Sequence, residues 1–431
     1  MAPHTSAGGG EARPPVSAPF ATVSRMRILH TSDWHLGRRL HGVDLTQTHR
    51  QFLDWLHALV EERAIDAVVV SGDVYDRAIP HPDALGLWEH AVAGLLDRGV
   101  RIIASSGNHD SFVRLGLNRH QLDRAGIHLR THLADITAGV RLGFDGAPVD
   151  AADPSPAVSI HGIPYLEPAL VWERMGAQRR SHAAVLTTAM DRILAHRAAH
   201  APHDRLVVLA HAFVAGAVSS ESERDVSLGG VGIVPASVFD AADYAALGHL
   251  HRPQRITDRA RFSGSPLPFS FGEAESDKTV VEVEFRPADE DTPSAPALTV
   301  HTVPRFRPVH TLRGSLEQVL AEAPRHSPDA LIAAELTDPQ RSPGAIDRLR
   351  AAFPGFIRMS WTGLDNPATA SAAGSRQTGS ALTDTQVFDG FHRLQRGGPP
   401  PAPAAARFAS ALASVQSESE TGQPDSAPGE E

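Results

Sequence analysis

Asp33 and His35 stand two residues apart, as do His249 and His251, and each pair follows a short apolar run. Carboxylate and imidazole at that spacing are metal-ligand chemistry. Both offer lone pairs at neutral pH, and side chains two apart on an extended segment face the same way. Three more clusters occupy the same position after an apolar run: Gly72-Asp73, Gly107-Asn108-His109-Asp110 and His211. The glycines before Asp73, Asn108 and His249 permit tight turns and close backbone approach. The chain has no cysteine, which excludes thiolate sites, disulfides and a cysteine nucleophile. Carboxylates, imidazoles and one amide suit a pair of divalent ions of borderline hardness. Manganese fits first, then iron or zinc, and magnesium matches so many imidazoles less well. Two such ions can hold both the attacking and the leaving oxygen of a phosphate ester. Asp73, with two carboxylate oxygens and a place between the halves of the set, is the candidate bridge.

Elements must bring these residues together. Apolar runs ending in polar clusters predict buried strands at 27–32, 67–71, 101–105, 158–163, 205–210 and 244–247. Phe52, Leu56, Leu59 and Val60 predict one amphipathic helix between them, and Leu85, Trp88, Val92 and Leu95 another. Further strands are expected at 261–263, 279–285 and 297–303. The pattern is an α/β domain over 26–305, and in such sheets ligands gather beyond the carboxyl ends of the strands. A small αβαβ piece over 306–363 follows, with helices at 316–321 and 345–353 and strands at 330–336 and 357–361. Residues 364–383 read as a linker. A helical segment over 384–414 carries Val387, Phe388, Phe391 and Leu394 on one face, a candidate partner-binding surface. The ends, 1–25 and 415–431, read as disordered, and Met26 is a candidate start codon.

Composition limits the rest. Of 431 residues 24 are His, and Lys278 is the single lysine among 40 basic residues. No apolar run is long enough to span a membrane. The net charge of −10 does not suggest a protein that coats nucleic acid, although Glu418, Glu420, Asp425, Glu430 and Glu431 concentrate much of the excess at one end. Arg38, Arg39, Arg77, Arg114 and Arg119 flank the clusters and are candidates for contact with a phosphate backbone.

In order and spacing, D-x-H, G-D, G-N-H-D, H and G-H-x-H resemble the calcineurin-like metallophosphoesterase superfamily. Longer stretches resemble its SbcD family of bacterial nuclease subunits: HTSDWHLGR (30–38), SGDVYDR (71–77), SSESER (219–224), GHLHRPQ (248–254) and SGSPLPFSFGE (263–273). The match runs from Met26 to Phe285 and more loosely to about residue 396. The resemblance implies a four-layer sandwich of two mixed sheets flanked by helices. It implies 3′→5′ exonuclease action on double-stranded DNA ends and endonuclease cleavage of hairpins and single strands, with manganese, in DNA repair, replication and recombination. It also implies the SMC-like ATPase SbcC as partner, docked on the C-terminal region, a homodimer of nuclease subunits, and a place in the cytoplasm on the nucleoid. No G-x-x-x-x-G-K-[ST] phosphate loop occurs here, consistent with ATP hydrolysis by the partner. Carried over by motif, Asp33, His35, Asp73 and His251 hold one ion, and Asp73, Asn108, His211 and His249 the other. His109 matches the catalytic histidine, with Asp110 orienting it. Two rival readings remain: a phosphodiesterase of the same superfamily acting on small phosphodiesters, and a non-catalytic scaffold for the ATPase.

Overall fold

The computed structural model describes residues 25–220, 223, 232–287, 295–362, 383–396 and 398–421. The N-terminal stretch, the 364–383 linker apart from Thr383, and the acidic end from residue 422 lie outside the described residues. The strands are β1 (Met26–Thr31), β2 (Arg39–Leu40), β3 (Val43–Asp44), β4 (Ala67–Ser71), β5 (Arg101–Ser105), β6 (Ile127–Arg130), β7 (Val140–Leu142), β8 (Val158–Gly162) and β9 (Arg205–His211). They continue with β10 (Tyr244–Gly248), β11 (Gln254–Arg255), β12 (Ala260–Phe262), β13 (Thr279–Phe285), β14 (Ala297–Thr302), β15 (Val309–Gly314), β16 (Leu331–Leu336) and β17 (Phe356–Trp361). The helices are α1 (Thr46–Glu62), α2 (Pro82–Leu96), α3 (Phe112–Leu115), α4 (Arg119–Asp123), α5 (Pro168–Met175), α6 (His182–His200), α7 (Leu316–Ala321), α8 (Ala345–Ala352), α9 (Asp384–Arg396) and α10 (Ala402–Thr421).

Two six-stranded sheets, ordered β14-β13-β1-β4-β5-β6 and β11-β12-β10-β9-β8-β7, carry the first part of the chain. Their central strands run parallel and are buried on both faces, so they read as unbroken apolar runs. Alternation then sorts each strand. Ile28, Val69 and Ile103 meet Ile160, Val207 and Leu209 in the layer between the sheets. Leu29, Val68, Val70 and Ile102 face outward onto Phe52, Leu53 and Leu56 of α1 and Leu87 and Leu95 of α2. Leu206 and Val208 face outward onto Val185, Ala189 and Ile193 of α6. This is the expected four-layer order, and each fully buried Val, Leu or Ile contributes roughly 1.5–3 kcal/mol.

The sequence did not predict α6, because its alanines blur the apolar stripe. Nor did it predict β15, which precedes the αβαβ piece and forms the three-stranded sheet β15-β16-β17. The chain divides into two compact units. One runs to Leu312 and takes in Glu322–Ala333 and Leu349–Arg358; the other comprises Arg313–Ala321, Ala334–Arg348 and the chain from Met359 on. Near the C-terminus the expected boundary at 414 is corrected: α10 continues to Thr421, into the stretch expected to be disordered. Its residues there, unlike Pro399–Pro401 before it, leave the backbone amides free for helical bonding. No helix of the described residues is long and apolar enough to cross a membrane.

Several histidines are core residues. His30 reaches across the sandwich to the Tyr244 hydroxyl at 2.9 Å. Burial pushes His30 down to about 3, and His49 and His161 each down to about 4. All three are neutral when folded and take up protons on unfolding once the pH falls below about 6.5. Stability is therefore complete above that value and declines as pH drops toward the folded pKa. Lowering the pH to about 5.5 should remove about 1.4 kcal/mol per histidine. Thermal melts of metal-free protein at about pH 7.5 and about pH 5.5 check this: His161→Gln should shrink the acid-induced drop, and an unchanged drop counts against it.

Candidate metal centre

Register brings the motifs together. Ser71 pairs with Ser105 across β4 and β5, and Gly248 with His211 across β10 and β9, so these strands end level with one another. The loop after β1 binds the loop after β4: Asp33 N donates to Gly72 O, His35 N to Asp73 O and Leu36 N to Val74 O, at 2.9–3.1 Å. Two glycines set the approach of the loops. A Cβ on Gly107 would collide with the Asp73 carboxylate, and one on Gly248 with the Ser71 carbonyl.

Asp33 and His35 converge as expected, but strand alternation is not the reason. Their φ values are 52° and 44°, and Asp73 and His249 have 50° and 105°. These residues lie in left-handed or strained backbone, each costing on the order of 1–3 kcal/mol that the surrounding packing must offset. Trp34 between them is buried, bonded to Thr31 Oγ1 at 2.9 Å and packed on Phe52 and Trp88. It anchors the loop while its neighbours face the site.

The donors form two facing groups. His35 Nε2 and His251 Nε2 are 3.1 Å apart, and one ring nitrogen of each lies with an Asp33 oxygen within 4.8 Å of one another. Asp33, Asp73 and His211 form a second such group. Asp73 Oδ2 lies 3.5 Å from His35 Nε2 and 3.3 Å from His211 Nε2, between two imidazoles. Asn108 Oδ1 lies 2.9 Å from His211 Nε2 and 3.1 Å from His249 Nδ1. Thus Asp33, His35, Asp73, Asn108, His211, His249 and His251 all meet in one region. His211 Nδ1 is 2.9 Å from the Ser71 carbonyl, which can only accept, so that nitrogen carries the proton and Nε2 faces the donors.

The charge balance fits cations. Burial, with the Asp73 charge adding to it, pushes Asp33 up to about 6 against the pull of His211 and His251. Burial and Asp73 together push Asp110 up to about 7. Burial also drives His35 and His249 down to about 3, leaving their lone pairs available. Although burial opposes it, the Asp73 carboxylate lifts His211 to about 9. Crowded, buried carboxylates, one of which holds a proton on His211 in place of a metal, beside the neutral imidazoles of His35 and His249 are what a divalent ion relieves.

His109 is half-buried at the edge of this group, its ring 4.7 Å from that of His35. The expected orienting role of Asp110 is corrected. His109 Nδ1 meets the Asp76 carbonyl at 2.8 Å, and the Asp110 carboxylate accepts the amides of Val74, Tyr75 and Gly107 at 2.9–3.1 Å. Asp110 ties two loops together. Asp76, which sequence patterning does not single out, also sets an oxygen 3.6 Å from His35 Nδ1. Ser32, whose hydroxyl donates to Asp33 at 2.6 Å, and Glu273, 3.6 Å from His251 Nδ1, were missed too. Glu273 closes the SGSPLPFSFGE motif, which was the available signal.

The arginine candidates separate. Arg39 and Arg77 line a groove of about 540 Å³ that reaches Asp76. Arg38 is half-buried, 3.4 Å from Asp76 and over the Phe269 ring, while Arg119 lies 3.5 Å from Asp135. Arg114 donates to the Ala78 carbonyl at 3.3 Å. In the C-terminal unit Phe388 stacks on Phe408 at 4.1 Å, and Val387 and Phe391 are exposed. The Leu394 side chain lies outside the described residues.

Compared with known proteins, residues 26–253 match the calcineurin-like phosphoesterase family. Residues 305–396 match the type 5 capsule protein repressor C-terminal domain. The chain is 29% identical over 384 residues to the D subunit of nuclease SbcCD from Escherichia coli K12, covering 84% of this chain and 92% of that protein. It is 34% identical over 298 residues to the protein of that name in Rhodobacter capsulatus, covering 67% and 71%. The Bacillus subtilis protein of that name is 34% identical over 281 residues, covering 62% and 68%.

Proposed function

We propose, for a chain that belongs to the calcineurin-like phosphoesterases and within them to the SbcD family, that it is a metal-dependent nuclease cleaving DNA phosphodiesters. The observation that carries this reading is Asp73 Oδ2 set between His35 and His211, with a donor group on either side. Asp33, His35, Asp73 and His251 hold one divalent ion, and Asp73, Asn108, His211 and His249 the other. Manganese suits this mixture of carboxylate, imidazole and amide best. Bound there, two such ions supply Lewis acidity and an activated water.

The remaining steps belong to the chain. The strained loops hold the donors convergent, so little reorganisation accompanies the reaction. His109, its Nδ1 proton committed to the Asp76 carbonyl, presents the rest of its ring to the reacting phosphate. As the imidazolium it stabilises developing charge and passes its Nε2 proton to the leaving sugar oxygen, keeping the one on Nδ1. Arg39 and Arg77 guide the DNA backbone along their groove.

The substrates are double-strand ends, trimmed 3′→5′, and hairpins and single strands, cut endonucleolytically in repair, replication and recombination. SbcC supplies ATP hydrolysis and docks on Val387 and Phe391, which the Phe388–Phe408 stack leaves exposed. A pair of nuclease subunits works with it in the cytoplasm, at the nucleoid. The test is a manganese-dependent assay on an end-labelled hairpin duplex, with and without SbcC and ATP. Hairpin opening and 3′ trimming are expected, and ending the chain at Gly379 should abolish stimulation by SbcC. Cleavage of only small phosphodiesters, with or without SbcC, would overturn the DNA assignment and leave the phosphodiesterase alternative.

A further inference from the structure

The chain uses arginine 39 times and lysine once. That lysine, Lys278, is buried immediately before β13, behind the metal centre. Its Nζ donates to the His251 carbonyl at 3.0 Å, to Ser265 Oγ at 2.9 Å and to the Glu273 carboxylate. Three acceptors around one nitrogen match an ammonium with three donors; a planar guanidinium cannot place three N–H groups about one point. Glu273 is fully buried and lies against His251 from the other side, Oε1 3.6 Å from Nδ1. It also accepts from Phe269 N at 3.3 Å and Ser270 Oγ at 3.1 Å. The backbone of His251 is held at its other end by Glu223, which accepts from His251 N at 2.6 Å. No step of the mechanism above uses Lys278 or Glu273.

We propose that Lys278 and Glu273 are a positioning pair for His251, and so for one of the two metal sites. Glu273 faces Nδ1 and keeps Nε2 turned toward His35 and Asp33. Lys278 holds the Glu273 carboxylate in that orientation and pins the His251 carbonyl. The ligands Asn108, His211 and His249 have none of these contacts. This assigns a purpose to the end of the SGSPLPFSFGE stretch and to the lysine five residues beyond it. The pair is buried, and a buried ion pair by itself is weak reason for stability; its use is orientation.

The inference rests on the two-ion reading, and manganese titration of the full chain, followed by electron paramagnetic resonance, separates the two. Wild type should bind two ions with a spin-coupled signal; failure to do so counts against the two-ion reading itself. Lys278→Met should weaken one ion roughly 10–100-fold, as loss of an outer partner does, and leave the other unchanged. The coupled signal should give way to that of an isolated ion at intermediate manganese. Lys278→Arg should not restore it. Should Lys278→Met fail to fold, the double variant Glu273→Gln/Lys278→Met removes both charges together and leaves neither stranded. It should show the same one-sided weakening. Two ions bound as tightly as in wild type, or an equal loss of both, would overturn the proposal.

Discussion

Asp73→Asn is expected to lower the nuclease turnover number about 10³-fold, an effect of about 4 kcal/mol. The substitution keeps the side-chain shape. An amide oxygen can still accept from His109 N, which donates to Asp73 Oδ1 at 2.8 Å. The nitrogen then replaces Oδ2, the atom between His35 and His211. An amide N–H has no lone pair to offer a metal and no charge to balance one. Both ions should therefore weaken together, unlike the one-sided loss expected at Lys278. Thermal melting gives a check independent of activity. Manganese stabilises wild type in proportion to the logarithm of its concentration over Kd, and the variant should lose that shift. A variant that keeps both the melting shift and the turnover would remove Asp73 from the bridge.

His109→Ala should lower turnover about 10²–10⁴-fold and leave both ions bound. His109 Nδ1 faces the Asp76 carbonyl, which can only accept, so that nitrogen keeps its proton and Nε2 is the one left to donate. The residue touches the donor set through its backbone, which donates to Asp73, and through the edge of its ring against His35. Neither contact requires it to hold a metal. However, His35, Asp76 and His109 also form a compact three-donor group. Metal counting therefore decides the outcome. Two manganese ions with little turnover make His109 a proton donor and charge stabiliser. Loss of an ion along with turnover makes it a ligand.

The donor set was legible in the sequence because its chemistry is local. D-x-H, G-D, G-N-H-D and G-H-x-H each follow an apolar run, and buried parallel strands must be apolar throughout, so strand ends were visible as the points where polarity begins. That the site suits divalent metal ions followed from residue types alone. The resemblance carried the four-layer order. The strands at 67–71 and 101–105 were placed to the residue for the same reason, and the antiparallel strand at 279–285 by its valine alternation, while α6 was not, since its alanines carry little directional pattern.

Tertiary structure decided what depends on distance between segments. The convergence of Asp33 and His35 comes from positive φ and from hydrogen bonds to the loop after β4, which strand periodicity cannot express. Asp110 stands next to His109 in sequence, yet its carboxylate binds the amides of Val74, Tyr75 and Gly107, and Asp76 takes the ring. Glu273 and Lys278 lie 22 and 27 residues beyond His251, with nothing in their types to link them to a metal site; only β13, returning antiparallel to β1, brings the lysine back beneath it. Ligand identity is a property of side chains and can be read in order. Orientation is a property of the contacts those side chains make across the fold, and the order of residues does not contain it.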